Sequence, residues 1–238
     1  MMDCETDQMS EKRKSTKTKL ILKILPFVQK HGFSAIKMDD AAKYMDISKA
    51  TMYKYFSSKD DIIECLVEKC VNYTESLMFE VDPYNLIPAN ETLPSHEALK
   101  LYGESFAKVF KQSFKMAFYL SDILLQDLNT AYPDLSAALS QAVERCQMRL
   151  VAYMNRGMEL GVFHQMNSEI ILIQMDVVLR RLLDPKLLLQ HNMTLKQALL
   201  DFYQAMRLQL FEEKWLHEEQ NLIEPFIGEM IIKKLSYE

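Results

Sequence analysis

The side chains best suited to binding chemistry lie in one short stretch that is rich in lysine and tyrosine. Lys49 and Thr51 open a short helical segment, and Tyr53, Lys54 and Tyr55 follow them. Ammonium and hydroxyl groups of this kind donate to phosphate oxygens, and from the first turn of a helix they also reach base edges. The stretch therefore predicts contact with a nucleic acid.

The flanking residues extend this predicted contact surface. Ser48 precedes the helix and can cap its free N–H groups, while Lys37 and Lys59 can each hold a phosphate on either side. The complete predicted DNA-binding set is Lys37, Ser48, Lys49, Ala50, Thr51, Tyr53, Lys54, Tyr55 and Lys59.

Several of these residues also have a purely structural interpretation. Phe56 is best interpreted as a core aromatic. Tyr53 and Tyr55 could be core aromatics as well, but their hydroxyl groups beside lysines favour DNA contact. Lys49 and Lys54 could be plain surface charges.

The elements that must position these side chains form a helix-turn-helix. Apolar spacing predicts a first helix over residues 15–31, ended by Gly32, and two short helices over 38–45 and 48–56. Ser58 and Asp61 have the spacing of a capping box and predict a fourth helix that continues to about residue 80. In such a motif the second short helix enters the DNA major groove. The predicted inner positions are Phe33, Ile36, Ala41, Ala42, Met45, Ile47, Met52 and Phe56.

Positive charge is concentrated in the same region. Residues 12–59 contain 12 Lys and Arg against three Asp, a net charge of +9, although the whole chain carries −5. A basic block attached to an acidic body favours a polyanionic partner for the block alone. On charge alone, an ordinary solvated basic face is an equal alternative.

The stretch at residues 32–59 resembles the DNA-binding domain of the TetR (tetracycline-repressor) family, whose pattern is roughly G-F-x-x-T-T-x-x-x-I-A-x-x-A-G-V-S-x-G-x-L-Y-x-Y-F-x-x-K. The matching residues are Gly32, Phe33, Ala42, Ser48, Tyr53, Tyr55, Phe56 and Lys59, with Ile47 and Met52 as near-matches.

Four positions depart from that pattern. Lys37 replaces the Thr that would cap the second helix, so we expect that cap to be missing. Asp46 replaces the Gly of the corner, where Asp tolerates a left-handed backbone better than most residues. Ala41 replaces Ile, and Ala50 replaces a Gly near the groove. None of these changes removes a DNA-contacting group, and all leave the sequence preference open.

The rest of the chain predicts more helices, because only five Gly and seven Pro occur and 49% of the residues are hydrophobic. A loop is predicted at residues 82–94, and helices are predicted at about 95–112, 115–130, 134–161, 168–183, 194–216 and 222–235. The expected fold is all-α, with an N-terminal three-helix DNA-binding domain and a C-terminal helical bundle. The predicted domains are a basic flexible arm (1–14), a helix-turn-helix domain (15–60) and a ligand-binding and dimerisation domain (61–238).

The resemblance implies that this helical body forms a homodimer and often encloses a small molecule. A dimer also has a physical reason, because two copies of the motif match a palindromic site. The predicted dimer helices are 168–183 and 194–216, although core packing within a monomer explains their apolar faces equally well. The candidate ligand-binding residues are Phe106, Phe110, Phe118, Asp122 and Tyr153, for which plain core packing, or surface exposure for Asp122, is the simpler alternative.

The sequence thus predicts a homodimeric repressor that a small-molecule effector releases from double-stranded DNA at a palindromic operator. A nucleoid or cell-division factor, or a coactivator of the same fold without ligand response, is the alternative. No nucleophile motif, phosphate loop or metal-ligand spacing occurs, so neither an enzyme nor a cofactor nor a metal site is expected. No apolar run reaches the roughly 18 residues of a membrane span. The spacing of the four cysteines fits no disulfide framework and favours a reduced, cytoplasmic location.

Overall fold

The described residues are almost entirely helical. The computed structural model of the protein describes residues 2–80, 96–213 and 223–235. Apart from the helices, this part of the chain contributes one isolated β-bridge, between Phe163 and Phe211. The predicted all-α class is therefore confirmed. The helices are α1 Met2–His31, α2 Met38–Tyr44, α3 Lys49–Tyr55, α4 Lys59–Glu80, α5 His96–Tyr119, α6 Asp122–Ala131, α7 Pro133–Glu159, α8 Ser168–Leu182, α9 Pro185–Gln190, α10 Leu195–Leu210 and α11 Glu224–Leu235.

The chain divides into two compact units. The first unit contains Met1–Tyr73 and Tyr119–Gln141, and the second contains Thr74–Phe118 and Ala142–Glu238. The first unit thus holds α1 to α3, most of α4, and all of α6. The predicted domain boundaries, at residues 14 and 60, stay a prediction.

The first unit is built around the apolar faces of its short helices. Ala41 and Ala42 are both buried, and their small side chains allow α2 and α3 to approach closely. Ile47, also predicted as an inner position, is only half-buried. The other buried hydrophobic residues of this unit are Leu20, Ile21, Ile24, Leu25, Val28, Phe33, Ile36, Met45, Met52, Phe56, Ile62, Ile63, Leu66, Val67, Leu120, Leu124, Leu128 and Leu139.

Aromatic rings fill the core of the second unit. The rings of Tyr102 and Tyr153 stack with centroids 5.2 Å apart, and Phe163 meets Phe211 edge-on at 4.9 Å. Such offset and edge-to-face pairs add to the hydrophobic gain from burying the rings. The Phe163–Phe211 bridge is flanked by two backbone hydrogen bonds, from the His164 N–H to the Leu210 carbonyl and from the Glu212 N–H to the Val162 carbonyl.

Two predicted boundaries at the ends of helices were wrong. α1 begins at Met2, not at residue 15, so residues 2–14 of the predicted flexible arm are helical. These residues contain neither Gly nor Pro, so nothing in their sequence stops the helix. The predicted helix 194–216 ends at Leu210, because Phe211 is extended (φ −87°, ψ 139°) and pairs with Phe163.

The connection predicted near residue 113 was also wrong. α5 continues through the buried Phe114 to Tyr119, and the break comes at Ser121, whose side chain caps α6. The short helix α9 was not predicted, although Asp184 caps it and Pro185 occupies its first position. The predicted loop at 82–94 lies outside the described residues. Within them, no helix combines the length and apolarity that crossing a bilayer requires.

Candidate DNA-binding site

The corner between α2 and α3 has the geometry of a helix-turn-helix. Asp46 adopts a left-handed backbone with φ +56°, as its replacement of glycine predicts. The chain then enters α3 through Ser48, whose hydroxyl accepts the Thr51 N–H at 3.1 Å. This cap satisfies one of the free N–H groups at the start of the helix. α3 therefore occupies the place of the recognition helix in such a motif, and the Ser48 cap stabilises its first turn.

Most of the predicted contact residues lie on an open surface of the first unit. Lys37, Ser48, Lys49, Ala50, Tyr53 and Lys54 are exposed, while Thr51, Tyr55 and Lys59 are half-buried. Phe56 is completely buried, which confirms that it is a core residue. Tyr53 is 56% exposed, so core packing does not account for its position.

Tyr55 and Lys54 form a combined surface beside Tyr53. The Lys54 ammonium lies 5.7 Å from the centroid of the Tyr55 ring, which is within range of a cation–π contact. This arrangement places the Lys54 ammonium over the Tyr55 ring. The ammonium and the Tyr55 hydroxyl can both donate to phosphate oxygens.

Lys37 lies at the N-cap position of α2, where the TetR pattern has a capping Thr. The Lys37 side chain does not cap the helix. Its backbone is extended (φ −116°, ψ 143°), and its side chain makes no capping hydrogen bond. Asp39 and Asp40 lie in the first turn, where their negative charges interact favourably with the positive end of the helix dipole. The predicted loss of the cap is confirmed, and the Lys37 side chain is exposed.

Lys49, at the first position of α3, forms an ion pair with Asp39 of α2. The Lys49 Nζ and the Asp39 Oδ2 are 2.5 Å apart, and both side chains are at least half exposed. The hydrogen bond to Asp39 raises the pKa of Lys49, so this lysine stays charged. No pattern in the sequence predicts this pair, because its members belong to two different helices.

α1 also contributes to the surface around the recognition helix, through a residue that was not predicted. Arg13 donates from its guanidinium to the Lys54 carbonyl at 3.0 Å. This places a second cation at the carboxyl end of α3, where the helix dipole favours it. The cluster of basic residues at 12–19 indicates a cation near the DNA-binding surface. The predicted flexible arm, however, would not hold Arg13 at one position, as the helix does.

Asp61 connects α1 to the turn between α3 and α4. Its carboxylate accepts the Lys17 ammonium at 2.8 Å and the Ser57 N–H at 2.9 Å, while its own N–H donates to the Ser58 hydroxyl at 3.1 Å. Partial burial alone would raise the pKa of Asp61, but the contacts with Lys17 and Ser57 outweigh it and lower that pKa to about 2. The predicted cap by Ser58 is present, but the carboxylate binds the N–H of Ser57 rather than that of Ser58.

α6 holds the turn that leads from α1 into α2. The N–H and the hydroxyl of Ser34 both donate to Asp127 Oδ2, each at 2.9 Å. Gly32, the predicted end of α1, has φ +76°, and a Cβ at this position would collide with the Asp127 carboxylate. At the start of α6, the Ser121 hydroxyl donates to the Gln29 carbonyl at 3.0 Å. α6, about 90 residues away in sequence, thus supports the turn that leads into the helix-turn-helix.

The candidate ligand-binding residues divide between the two units. Phe106, Phe110 and Tyr153 are fully buried in the aromatic core of the second unit, and Phe118 packs against that core. Asp122 belongs to the first unit, where it is the exposed first residue of α6. In the part of the chain that the structure describes, no group of three or more His, Cys, Asp or Glu is arranged to hold a metal ion.

This fold and this surface define a helix-turn-helix DNA-binding protein. Residues 28–66 match the family model described as bacterial regulatory proteins, tetR family. Over these residues the chain matches the DNA-binding domain of TetR-family transcriptional regulators.

Two curated relatives are similar over much of their length. The biofilm operon icaADBC HTH-type negative transcriptional regulator IcaR of Staphylococcus aureus is 26% identical over 135 residues, which are 54% of this chain and 68% of that protein. The uncharacterized HTH-type transcriptional regulator YvaF of Bacillus subtilis is 24% identical over 181 residues, 76% of this chain and 88% of that protein.

Solved structures of regulators share the fold. The ketosteroid transcriptional regulator KstR2 of Mycobacterium tuberculosis superposes with a TM-score of 0.55 at 15% identity, covering 83% of this chain and 96% of that one. A gamma-butyrolactone receptor (ArpA-like protein) also superposes with a TM-score of 0.55, at 11% identity. The match covers 91% of this chain and 99% of that one. At these identities the comparison shows the fold alone.

Proposed function

We propose that this protein is a homodimeric repressor that binds a palindromic operator and is released from it by a small molecule. The observation that carries the proposal is the exposed face of α3, where Lys49 lies at the capped start of the helix and Tyr53 and Lys54 follow towards its end. Hydroxyl and ammonium donors on such a helix supply both phosphate and base-edge contacts. The similarity to a negative regulator favours repression, and a function on DNA favours a cytoplasmic location.

A second copy of the chain is part of the proposal because an apolar stripe on α8 faces solvent. Ile170, Ile173 and Val177 are each more than half exposed, and they recur at helical spacing. On α10, Leu208 is exposed too, and the Gln174 and Gln209 side-chain amides hydrogen-bond between α8 and α10. Exposed apolar side chains grouped in this way are typical of an interface. A C2 dimer through α8 and α10 would bury it.

A ligand is part of the proposal because the Tyr102 hydroxyl, inside the second unit, lacks a hydrogen-bond partner among the described residues. The Tyr102 hydroxyl is buried and makes no hydrogen bond to any described residue. A buried hydroxyl left unsatisfied costs about 1–3 kcal/mol. It lies in the aromatic core that holds Phe106 and Tyr153. The chemistry fits an apolar molecule with one oxygen that can accept from, or donate to, the Tyr102 hydroxyl.

DNA binding is tested first by locating the operator. Genome-wide footprinting of the native protein should give one or a few palindromes, whereas dispersed sites would favour a nucleoid factor. On that operator, Tyr53→Ala and Lys59→Ala should each weaken binding by roughly tenfold in fluorescence anisotropy, because each removes a phosphate donor. Glu64→Ala, on an exposed position of α4, is the matched control. Unchanged affinity in both variants would refute the assignment of the recognition surface.

The proposed ligand anchor is tested by removing one hydroxyl. Tyr102→Phe should stabilise the ligand-free protein by about 1 kcal/mol in thermal unfolding, because it removes an unsatisfied polar atom. Tyr153→Phe is the control, since the Tyr153 hydroxyl donates to the Tyr102 carbonyl at 3.0 Å and its loss should destabilise. Small molecules that raise the melting temperature of the native protein should lose affinity for Tyr102→Phe. Equal affinity would rule out Tyr102 as the anchor.

A further inference from the structure

The pair formed by Lys49 and Asp39 places a carboxylate within the recognition surface itself. The Lys49 ammonium and the Asp39 carboxylate are 2.5 Å apart, although ten residues separate them in the sequence. The helix-turn-helix brings together the first turn of α2 and the first residue of α3. The partner that Lys49 holds is therefore an oxyanion attached to the protein.

Stability does not explain why this pair is present. The side chains of Lys49 and Asp39 are 63% and 50% exposed, and exposed ion pairs of this kind contribute little to folding. Asp39 and Asp40 both lie in the first turn of α2, so either carboxylate alone would satisfy the helix dipole. What distinguishes Asp39 from its neighbour is the contact with Lys49.

A carboxylate and a DNA phosphate offer the same kind of ligand to an ammonium group. Both are oxyanions that accept short, charge-assisted hydrogen bonds. Lys49 cannot give its full charge to both at once. A protein that binds DNA through Lys49 must first separate this lysine from Asp39, or share it.

We propose that Asp39 is an internal competitor of DNA for Lys49, and that it thereby sets the affinity of the recognition surface for non-specific DNA. The inference rests on the proposed contact between Lys49 and DNA. Non-specific binding depends almost entirely on the neutralisation of phosphate charge. Its affinity therefore falls more than the affinity for the operator when one cation is already paired with a carboxylate. At the operator, additional base contacts offset the cost of the exchange.

The test compares two substitutions that remove the same charge. Asp39→Asn and Asp40→Asn each delete one negative charge from the same turn, but only the first releases Lys49. With the full chain and a random-sequence duplex, fluorescence anisotropy should show Asp39→Asn binding about two- to fivefold more tightly than Asp40→Asn. Its plot of log affinity against log salt should also be steeper, by up to about one unit, since one more cation is free to displace counterions.

A double-mutant cycle separates competition from general charge repulsion. Lys49→Ala should weaken binding more in the Asp39→Asn background than in the wild type, and should show no such coupling with Asp40→Asn. Equal effects of Asp39→Asn and Asp40→Asn, with no coupling to Lys49, would overturn the proposal. Circular dichroism confirms that all variants fold. Failure of the wild type to bind the duplex in low salt would instead refute DNA binding itself.

Discussion

Single residues decide how sharply the chain turns into the recognition helix. Asp46 holds a left-handed backbone, which costs an ordinary L-residue about 1–2 kcal/mol and glycine almost nothing. Asp is one of the few side chains that adopts this conformation routinely, because its short polar side chain can hydrogen-bond locally. The corner is therefore retained, but with some residual strain.

Asp46→Gly should relieve this strain. We expect the free energy of unfolding in urea to rise by about 0.5 kcal/mol, since the greater freedom of glycine in the unfolded chain offsets part of the gain. Asp46→Ala should lower it by about 1 kcal/mol, because alanine has no polar group to support φ +56°. A loss of stability in Asp46→Gly would show that the carboxylate itself stabilises the corner.

Pairs of elements are joined by contacts that the sequence does not reveal. Gly32, Ser48 and Asp46 were predictable, because caps and left-handed residues depend on neighbours within a few positions. The hydrogen bonds from Arg13 to Lys54 and from Ser34 to Asp127 were not predictable, because 41 and 93 residues separate the partners. Their proximity depends on how α1 and α6 pack, which periodicity does not specify.

The end of α10 illustrates the same limit. Its apolar spacing continues past Leu210, and no Gly or Pro stops it, so a longer helix was the natural expectation. The helix ends because the extended backbone at Phe211 lets its ring pack against Phe163 and Phe106 in the aromatic core. Tertiary packing, rather than local propensity, sets that boundary.

The Lys17–Asp61 contact between α1 and the start of α4 should make the first unit sensitive to acid. The pKa of Asp61 is about 2 in the folded protein and near 3.8 when unfolded, so the unfolded chain binds protons more readily. The stabilisation is therefore present above about pH 4 and is lost as the pH falls towards 2. Screening of this partly exposed pair limits it to about 1 kcal/mol.

Asp61→Asn isolates this contribution, because asparagine can still accept the Ser57 N–H. In urea unfolding, the variant should be about 1 kcal/mol less stable than the wild type at pH 7. The difference should shrink as the pH falls from 5 to 2.5. Lys17→Gln should behave in the same way. A difference that stays constant with pH would show that Asp61 acts through packing and not through its charge.

At the scale of the whole molecule, the proposed function depends on two recognition helices held at one spacing. A single helix-turn-helix contacts few base pairs, and a dimer places two of them about 34–36 Å apart on one face of the duplex. The exposed apolar stripe of α8 is the surface that would hold the two copies together. In the proposed function, a ligand would act by preferring a dimer conformation in which this spacing no longer fits the operator.

Ile173→Glu is the sharpest test of that arrangement. Ile173 is 57% exposed in the single chain, so a glutamate should leave the fold of the monomer intact, but in a dimer it would bury an unpaired carboxylate. Sedimentation velocity should show the dimer dissociation constant rising at least about 100-fold. Met148→Glu, which changes an equally exposed apolar residue on α7, is the matched control and should leave the dimer unchanged.

The same variant separates assembly from DNA recognition, because its recognition helix is untouched. Ile173→Glu should bind a duplex carrying one half-site as well as the wild-type monomer does, since the contacts of α3 are unchanged. On the full palindrome it should lose the gain that comes from binding both half-sites at once, because the second binding event is no longer intramolecular. If Ile173→Glu instead remained a dimer while Met148→Glu dissociated, the interface would lie on α7. The spacing of the two recognition helices would then have to be derived from that helix.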